Sequence, residues 1–177
     1  MTTSGVPDSG PVEPGPGERI LRGDAATRAL GRLLAETLPE RGRADGAVLC
    51  LSGQLGAGKT TLVKGLAEGL GVADERDVTS PTFLRLVRYE GTPDLVHVDA
   101  YRMGGSADVQ DLGLHEDLAG GAVVAVEWPE MIEEALPDDR LTVELGHRAT
   151  GARSARITAG GPLSRVWLAA LERRLGP

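Results

Sequence analysis

A three-layer α/β fold on a mostly parallel sheet is what this sequence predicts, and three observations carry the prediction. Apolar runs of strand length at 47–51, 95–98 and 122–126 alternate with helix-like segments. The last run is apolar throughout, as strands buried on both faces are. Between the first run and the helix after it lies Gly53-Gln54-Leu55-Gly56-Ala57-Gly58-Lys59-Thr60, with the spacing Gly-x4-Gly-Lys-Thr. Strand, glycine loop and helix in that order are the setting of a phosphate-binding loop. The expected class is therefore a P-loop NTPase three-layer fold, with an antiparallel hairpin added near the C-terminus.

Residues 1–17 hold four Pro, four Gly and two Ser without apolar periodicity, so a disordered tail is expected there. The remaining 18–177 suffice for one substantial core and are short for two, which predicts a single domain. Arg19-Ile20-Leu21 reads as a short strand. Asp24 offers an N-cap for a helix whose Leu30, Leu33, Leu34 and Leu38 recur at helical spacing. Residues 41–46 look like a polar loop into the first core strand. The helix after the glycine loop should end near Gly69-Leu70-Gly71. A loop at 77–82, a strand at 83–89 and a strand ending in Asp99 follow. Residues 106–118 are weakly helical. The run at 122–126 ends in Glu127-Trp128-Pro129, and a short helix with Pro at its first turn is expected over 129–136. Alternation at 141–145 and 154–158 around Thr150-Gly151 predicts the hairpin. An amphipathic helix over 162–175, carrying Leu163, Val166, Trp167, Ala170 and Leu171, closes the chain.

Composition bounds the function. The formal net charge of −7 argues against a protein that grips nucleic acid by itself, which needs a clustered cationic face. The single cysteine, Cys50, excludes an intramolecular disulfide and sits in an apolar run, as a small buried hydrophobe in a reducing compartment would. The chain has no run of 18 apolar residues and no charged-then-apolar N-terminal signal, so a cytoplasmic protein without a membrane segment is expected.

The chemistry centres on the glycine loop. Its N–H groups can form a nest for phosphate oxygens, Lys59 can reach the β- and γ-phosphates, and the Thr60 hydroxyl can hold Mg²⁺. Lys59 is one of only two lysines in the chain. Mg²⁺ also calls for a carboxylate at a strand end, and Asp99 and Glu127 both qualify; Glu127, after the more hydrophobic run, is the better metal candidate. Thr79-Ser80-Pro81-Thr82-Phe83 is either a switch-like loop whose hydroxyl senses the γ-phosphate or a plain turn. His97 and His115 lack partners at metal-ligand spacing, so structural roles are expected for them. The chain contains no asparagine, which excludes the Asn-Lys-x-Asp guanine-reading motif and makes ATP the default nucleotide.

Taken together, Leu55-Gly56-Ala57-Gly58-Lys59-Thr60-Thr61, Ser80-Pro81-Thr82-Phe83, His97-Val98-Asp99-Ala100-Tyr101-Arg102 and Val126-Glu127-Trp128-Pro129 resemble, in order and spacing, the TsaE (YjeE) family. The resemblance runs from about Ile20 to the closing helix. It implies a Mg²⁺-dependent ATPase of tRNA threonylcarbamoyladenosine biosynthesis, slow alone and coupled to the partner proteins TsaD and TsaB. Those partners modify the adenosine beside the anticodon, so tRNA is met only through them. It also implies ATP contacts from Leu55, Gly56, Ala57, Gly58, Lys59, Thr60 and Thr61, with Thr82 and Asp99. Thr60 and Glu127 become metal ligands, and Lys59, Asp99 and Glu127 the catalytic set. Further matches to nucleotide-site positions are Asp24, Glu130 and Gly151. A small-molecule or nucleotide kinase and a non-catalytic ATP sensor share the phosphate loop and are the alternatives.

Overall fold

The computed structural model describes residues 17–73, 78–81, 85–103, 112–148 and 151–176. The expected tail (Gly17 excepted), Thr82, Phe83, the first part of the weakly helical 106–118 and Thr150 lie outside those residues.

Among the described residues, seven strands form one sheet: β1 (Glu18–Arg22), β2 (Ala47–Gly53), β3 (Leu86–Tyr89), β4 (Leu95–Asp99), β5 (Val123–Glu127), β6 (Leu141–His147) and β7 (Ala152–Ala159). Their order is β1-β7-β6-β2-β5-β4-β3. The central four, β6-β2-β5-β4, are parallel, while β7, β1 and β3 add antiparallel edges. The parallel register aligns Leu51 with Glu127 and Glu127 with Asp99, so the carboxyl ends of β2, β5 and β4 finish level.

Side-chain alternation divides the core between the two faces of the sheet. Leu49, Leu51, Leu95, Val123 and Ala125 point to one face, which is covered by α1 (Gly23–Glu36), α3 (Lys59–Leu70) and α5 (Pro162–Leu175). Val48, Cys50, Val96, Val98, Val124 and Val126 point to the other face, under α4 (Leu114–Ala119) and two short 3₁₀ turns. Burial pushes the Cys50 thiol up to about 12, so it stays a neutral hydrophobe as its apolar setting predicts.

Several boundaries differ from the sequence reading. Asp24 is not an N-cap: α1 starts at Gly23 after Arg22, and the Asp24 carboxylate turns to Arg153 instead. Residues 41–46 are not a loop, because α2 (Glu40–Asp45) closes there with an Arg41–Asp45 pair one turn apart. The single helix expected at 129–136 is two 3₁₀ turns, Pro129–Met131 and Glu133–Ala135, broken at Ile132, whose side chain is buried. In the closing helix, Trp167 and Leu171 face the core but Val166 is exposed. The Trp167 indole N–H donates to the Leu34 carbonyl at 2.9 Å and ties α5 to α1.

Candidate functional site

The turn from β2 into α3 presents backbone N–H groups that could receive an anion. Gly58 sits before the helix with φ 103°, a conformation that a side chain would strain, and no side chain caps the helix. The first N–H groups of α3 therefore have neither an intrahelical partner nor a cap, and the helix dipole adds positive potential at the same point. Lys59 is almost fully buried. Its Nζ donates to the carbonyls of Gly53 at 2.6 Å and Gln54 at 3.0 Å, and lies 3.8 Å from the centroid of the Trp128 ring. Burial draws the Lys59 pKa below the ordinary lysine range, against the opposing pull of Glu127, Glu130 and Asp99.

The carboxylates come from the ends of β5 and β4, on the face that α3 covers. Thr60 Oγ1 donates to Glu127 Oε1 at 2.8 Å, and His97 Nε2 meets the same oxygen at 2.9 Å. Facing a carboxylate, His97 Nε2 carries the ring proton, while among the described residues its buried Nδ1 has no partner. Asp99 accepts the Ser80 hydroxyl on Oδ2 and the Tyr101 N–H on Oδ1. Asp99 and Glu127 are both nearly buried. At Trp128 the backbone turns left-handed, φ 59°, which throws the ring over Lys59 and against Tyr101, with ring centroids 5.0 Å apart.

The β6–β7 hairpin closes the other side. His147 Nε2 donates to the Leu55 carbonyl at 3.2 Å. Arg153 lies against Gly58, bridges to Asp24 Oδ1 at 2.7 Å and donates to Thr27 Oγ1 at 3.1 Å. The result is a cleft of about 510 Å³ along the carboxyl edge of the sheet, lined by both carboxylates and by Arg153.

Comparison with known proteins agrees with this architecture. The family model described as "Threonylcarbamoyl adenosine biosynthesis protein TsaE" matches residues 21–155. The chain belongs to the TsaE family. The tRNA threonylcarbamoyladenosine biosynthesis protein TsaE of Bacillus subtilis is 46% identical over 136 residues, covering 76% of this chain and 80% of that protein. The protein of the same name from Treponema pallidum is 41% identical over 128 residues, covering 72% and 87%. Among solved structures, the crystal structure of Bacillus subtilis YdiB superposes with a TM-score of 0.72 at 34% identity, over 90% of this chain and 95% of that one.

Of the positions that the TsaE resemblance singles out, Asp24, Leu55, Gly56, Gly58, Lys59, Thr60, Thr61, Asp99 and Glu127 line the cleft. Ala57 is buried beneath the loop instead. Glu130 is exposed on the first 3₁₀ turn, near enough to Lys59 to bear on its charge, and Gly151 immediately precedes β7; neither lines the cleft itself. Several contributors, Tyr101, Arg102 and His147 among them, had no role in the sequence reading. His97 had a usable signal, since it precedes Asp99 by two residues and so shares its face of β4. Ser80 and Trp128 lie in the motifs that carry the TsaE resemblance but had no role attached. Arg153 had no local signal at all, because only the pairing of β7 with β6 and β1 brings it to the loop.

Proposed function

We propose that this chain binds ATP with Mg²⁺ on the 53–60 loop and hydrolyses it in support of threonylcarbamoyladenosine modification of tRNA. The observation that carries the reading is the Thr60 Oγ1–Glu127 Oε1 contact at the head of an uncapped α3. It places a hydroxyl and a carboxylate side by side where phosphate oxygens would meet the helix N-terminus. That donor pair suits Mg²⁺, which takes one or two carboxylates and completes its shell with water and phosphate. Among the described residues no group of three or more His, Cys, Asp or Glu makes a cage without a nucleotide.

The work of this chain's own residues then follows. The N–H groups at the start of α3 bind phosphate oxygens, and Lys59 exchanges its two carbonyl partners for them. Thr60 and Glu127 would hold the metal, with His97 orienting Glu127 through Oε1. Mg²⁺, when bound, neutralises charge on the phosphates and fixes their orientation. Asp99, held on both oxygens by Ser80 and Tyr101, is positioned to accept a proton from an attacking water. Tyr101 is exposed and Leu55 is 86% exposed at the mouth, so the cleft is open to solvent. An open site excludes water poorly and leaves hydrolysis slow until a partner covers it. We assign that partner role to TsaD and TsaB, and cytoplasmic residence with it; tRNA is reached through them.

Nucleotide titration and phosphate release, each with and without TsaB–TsaD, test the reading. Lys59→Ala is expected to fold and to lose most ATP affinity. The partners should accelerate phosphate release by wild type, and Thr82→Ala should lower the stimulated rate more than the basal one. Wild-type turnover in Lys59→Ala, or efficient phosphorylation of a small acceptor, would sink it in favour of another site or a kinase.

A further inference from the structure

We propose that a groove on the face of the sheet opposite the cleft docks a partner protein through an apolar segment flanked by lysines or arginines. Val48 and Val124 stand side by side in the parallel register, each the second residue of its strand. Strands in the middle of a parallel sheet are ordinarily covered on both faces. Here the cover is slight: α4 has six residues, about 9 Å of helix, and each 3₁₀ turn has three. Between them runs a groove of about 800 Å³. Leu114 and Leu118, one turn apart on α4, line it together with Ala135, Leu136 and the two valines. It is larger than the cleft and, among the described residues, shares none of the cleft's lining.

The groove continues past its own ends. Val48, Leu118 and Pro137 also line a second hollow that reaches Pro162 and Leu163 at the start of α5. Glu134 and Leu136 also line a third, beside Met131, which is 43% exposed. Adjoining hollows along one face suit a length of polypeptide better than a small molecule, and an exposed methionine adapts to the side chains it meets. The rim selects the charge of that polypeptide. Glu116 and Glu134 are exposed beside the groove, and Glu130 and Asp138 are exposed beside the third hollow. Among the described residues none of these four carboxylates has an ion pair, whereas Glu133 meets Arg140 at 2.9 Å, and no Lys or Arg lines the groove itself. Unpaired like charges around an apolar floor repel one another and attract a cationic partner, which governs both which segments dock and how fast they arrive.

Selection of random phage-displayed peptides against the immobilised full chain tests this, followed by amide NMR mapping of one synthetic selected peptide. Enriched sequences are expected to carry Leu, Ile, Phe or Met beside Lys or Arg, with shifts gathered at 114–118 and 134–137. The Glu116→Lys, Glu134→Lys double variant is expected to keep the wild-type melting temperature, because both side chains are exposed and unpaired. It should bind the peptide about tenfold more weakly, the weight of two exposed ion pairs. Enrichment of acidic or uncharged sequences, shifts that fall elsewhere, or wild-type affinity in the double variant overturns the proposal, as does failure to enrich any sequence. A chain that sediments as a dimer, and as a monomer once both glutamates are reversed, gives the groove to a second copy and overturns it too. Should the double variant fail to fold, Glu116→Gln with Glu134→Gln decides: a several-fold loss of affinity supports the docking surface and wild-type affinity overturns it. None of these results depends on whether the cleft binds nucleotide.

Discussion

Glu127 and Asp99 stand next to each other across β5 and β4, yet their side chains have different neighbours. Glu127 shares its Oε1 with the Thr60 hydroxyl and the His97 ring, a setting suited to a metal ligand. Among the described residues, Asp99 is held by the Ser80 hydroxyl and the Tyr101 backbone N–H. Glu127→Ala is therefore expected to raise the Mg²⁺ concentration needed for half-maximal nucleotide binding. Asp99→Ala should cut the hydrolysis rate by about a hundredfold or more, the usual weight of a positioned proton acceptor, with little change in affinity. Parallel Mg²⁺ titrations and single-turnover rates check the pair. If Asp99→Ala shifts only the Mg²⁺ curve, the two roles are exchanged.

Two elements carry the glycine loop, and both depend on contacts between helices. α1 and α3 pack backbone against backbone: a Cβ on Gly31 would run into the Leu62 carbonyl, and one on Gly65 into the Arg28 carbonyl. Arg28 and Arg32 of α1 both pair with Glu68 of α3 along the same seam. Alanine is the better helix former by about 1 kcal/mol, but overpacking here costs more. Gly65→Ala is expected to destabilise the fold by about 2 kcal/mol in urea unfolding; a stabilised variant would refute the close packing. α5 is capped from outside. Its N-cap, Gly161, has no side chain to offer, so Asp139 accepts the N–H groups of Leu163 at 2.8 Å and Ser164 at 2.9 Å. Burial pulls the Asp139 pKa upward, but those N–H groups outweigh it and hold the carboxyl below its usual range. A carboxyl depressed in the folded state contributes stability above its unfolded pKa, and that contribution is lost as pH falls through the folded value. Asp139→Ala should cost about 1 kcal/mol at neutral pH and progressively less on acidification, read from unfolding at neutral and acid pH.

Among the described residues, three helices lie over the face of the sheet that carries the cleft, while α4 and two 3₁₀ turns lie over the other. Nucleotide bound as proposed would engage the end of β2, the start of α3 and the ends of β4 and β5, and so should stabilise the native state as a unit. At a hundredfold excess over Kd, ATP with Mg²⁺ should add about 2.7 kcal/mol. That corresponds to about 5–10 °C in melting temperature for a chain of this size. Lys59→Ala should show almost none of this shift. An equal shift in the variant would place the nucleotide elsewhere. Among the described residues no helix is long and apolar enough to cross a membrane.

Much of this was legible in one dimension because its causes are local. Apolar runs at 47–51 and 122–126 become strands wherever they are buried, the Gly-x4-Gly-Lys-Thr spacing shapes its own loop, and Pro162 opens its helix at the position where proline fits. Asp99 and Glu127 could be placed at strand ends for the same reason. The 3₁₀ turns after Trp128 and the short α2 were not legible, since weak local preferences there yield to the burial of Ile132 and to packing around Gly42. Nor were the partnerships: His97 with Glu127, Lys59 under Trp128, Asp139 on α5 and Arg153 beside Gly58 join residues far apart in the chain. Sequence spacing specifies what each segment can become. Only strand order and register decide which side chains meet, because those depend on the closure of the sheet.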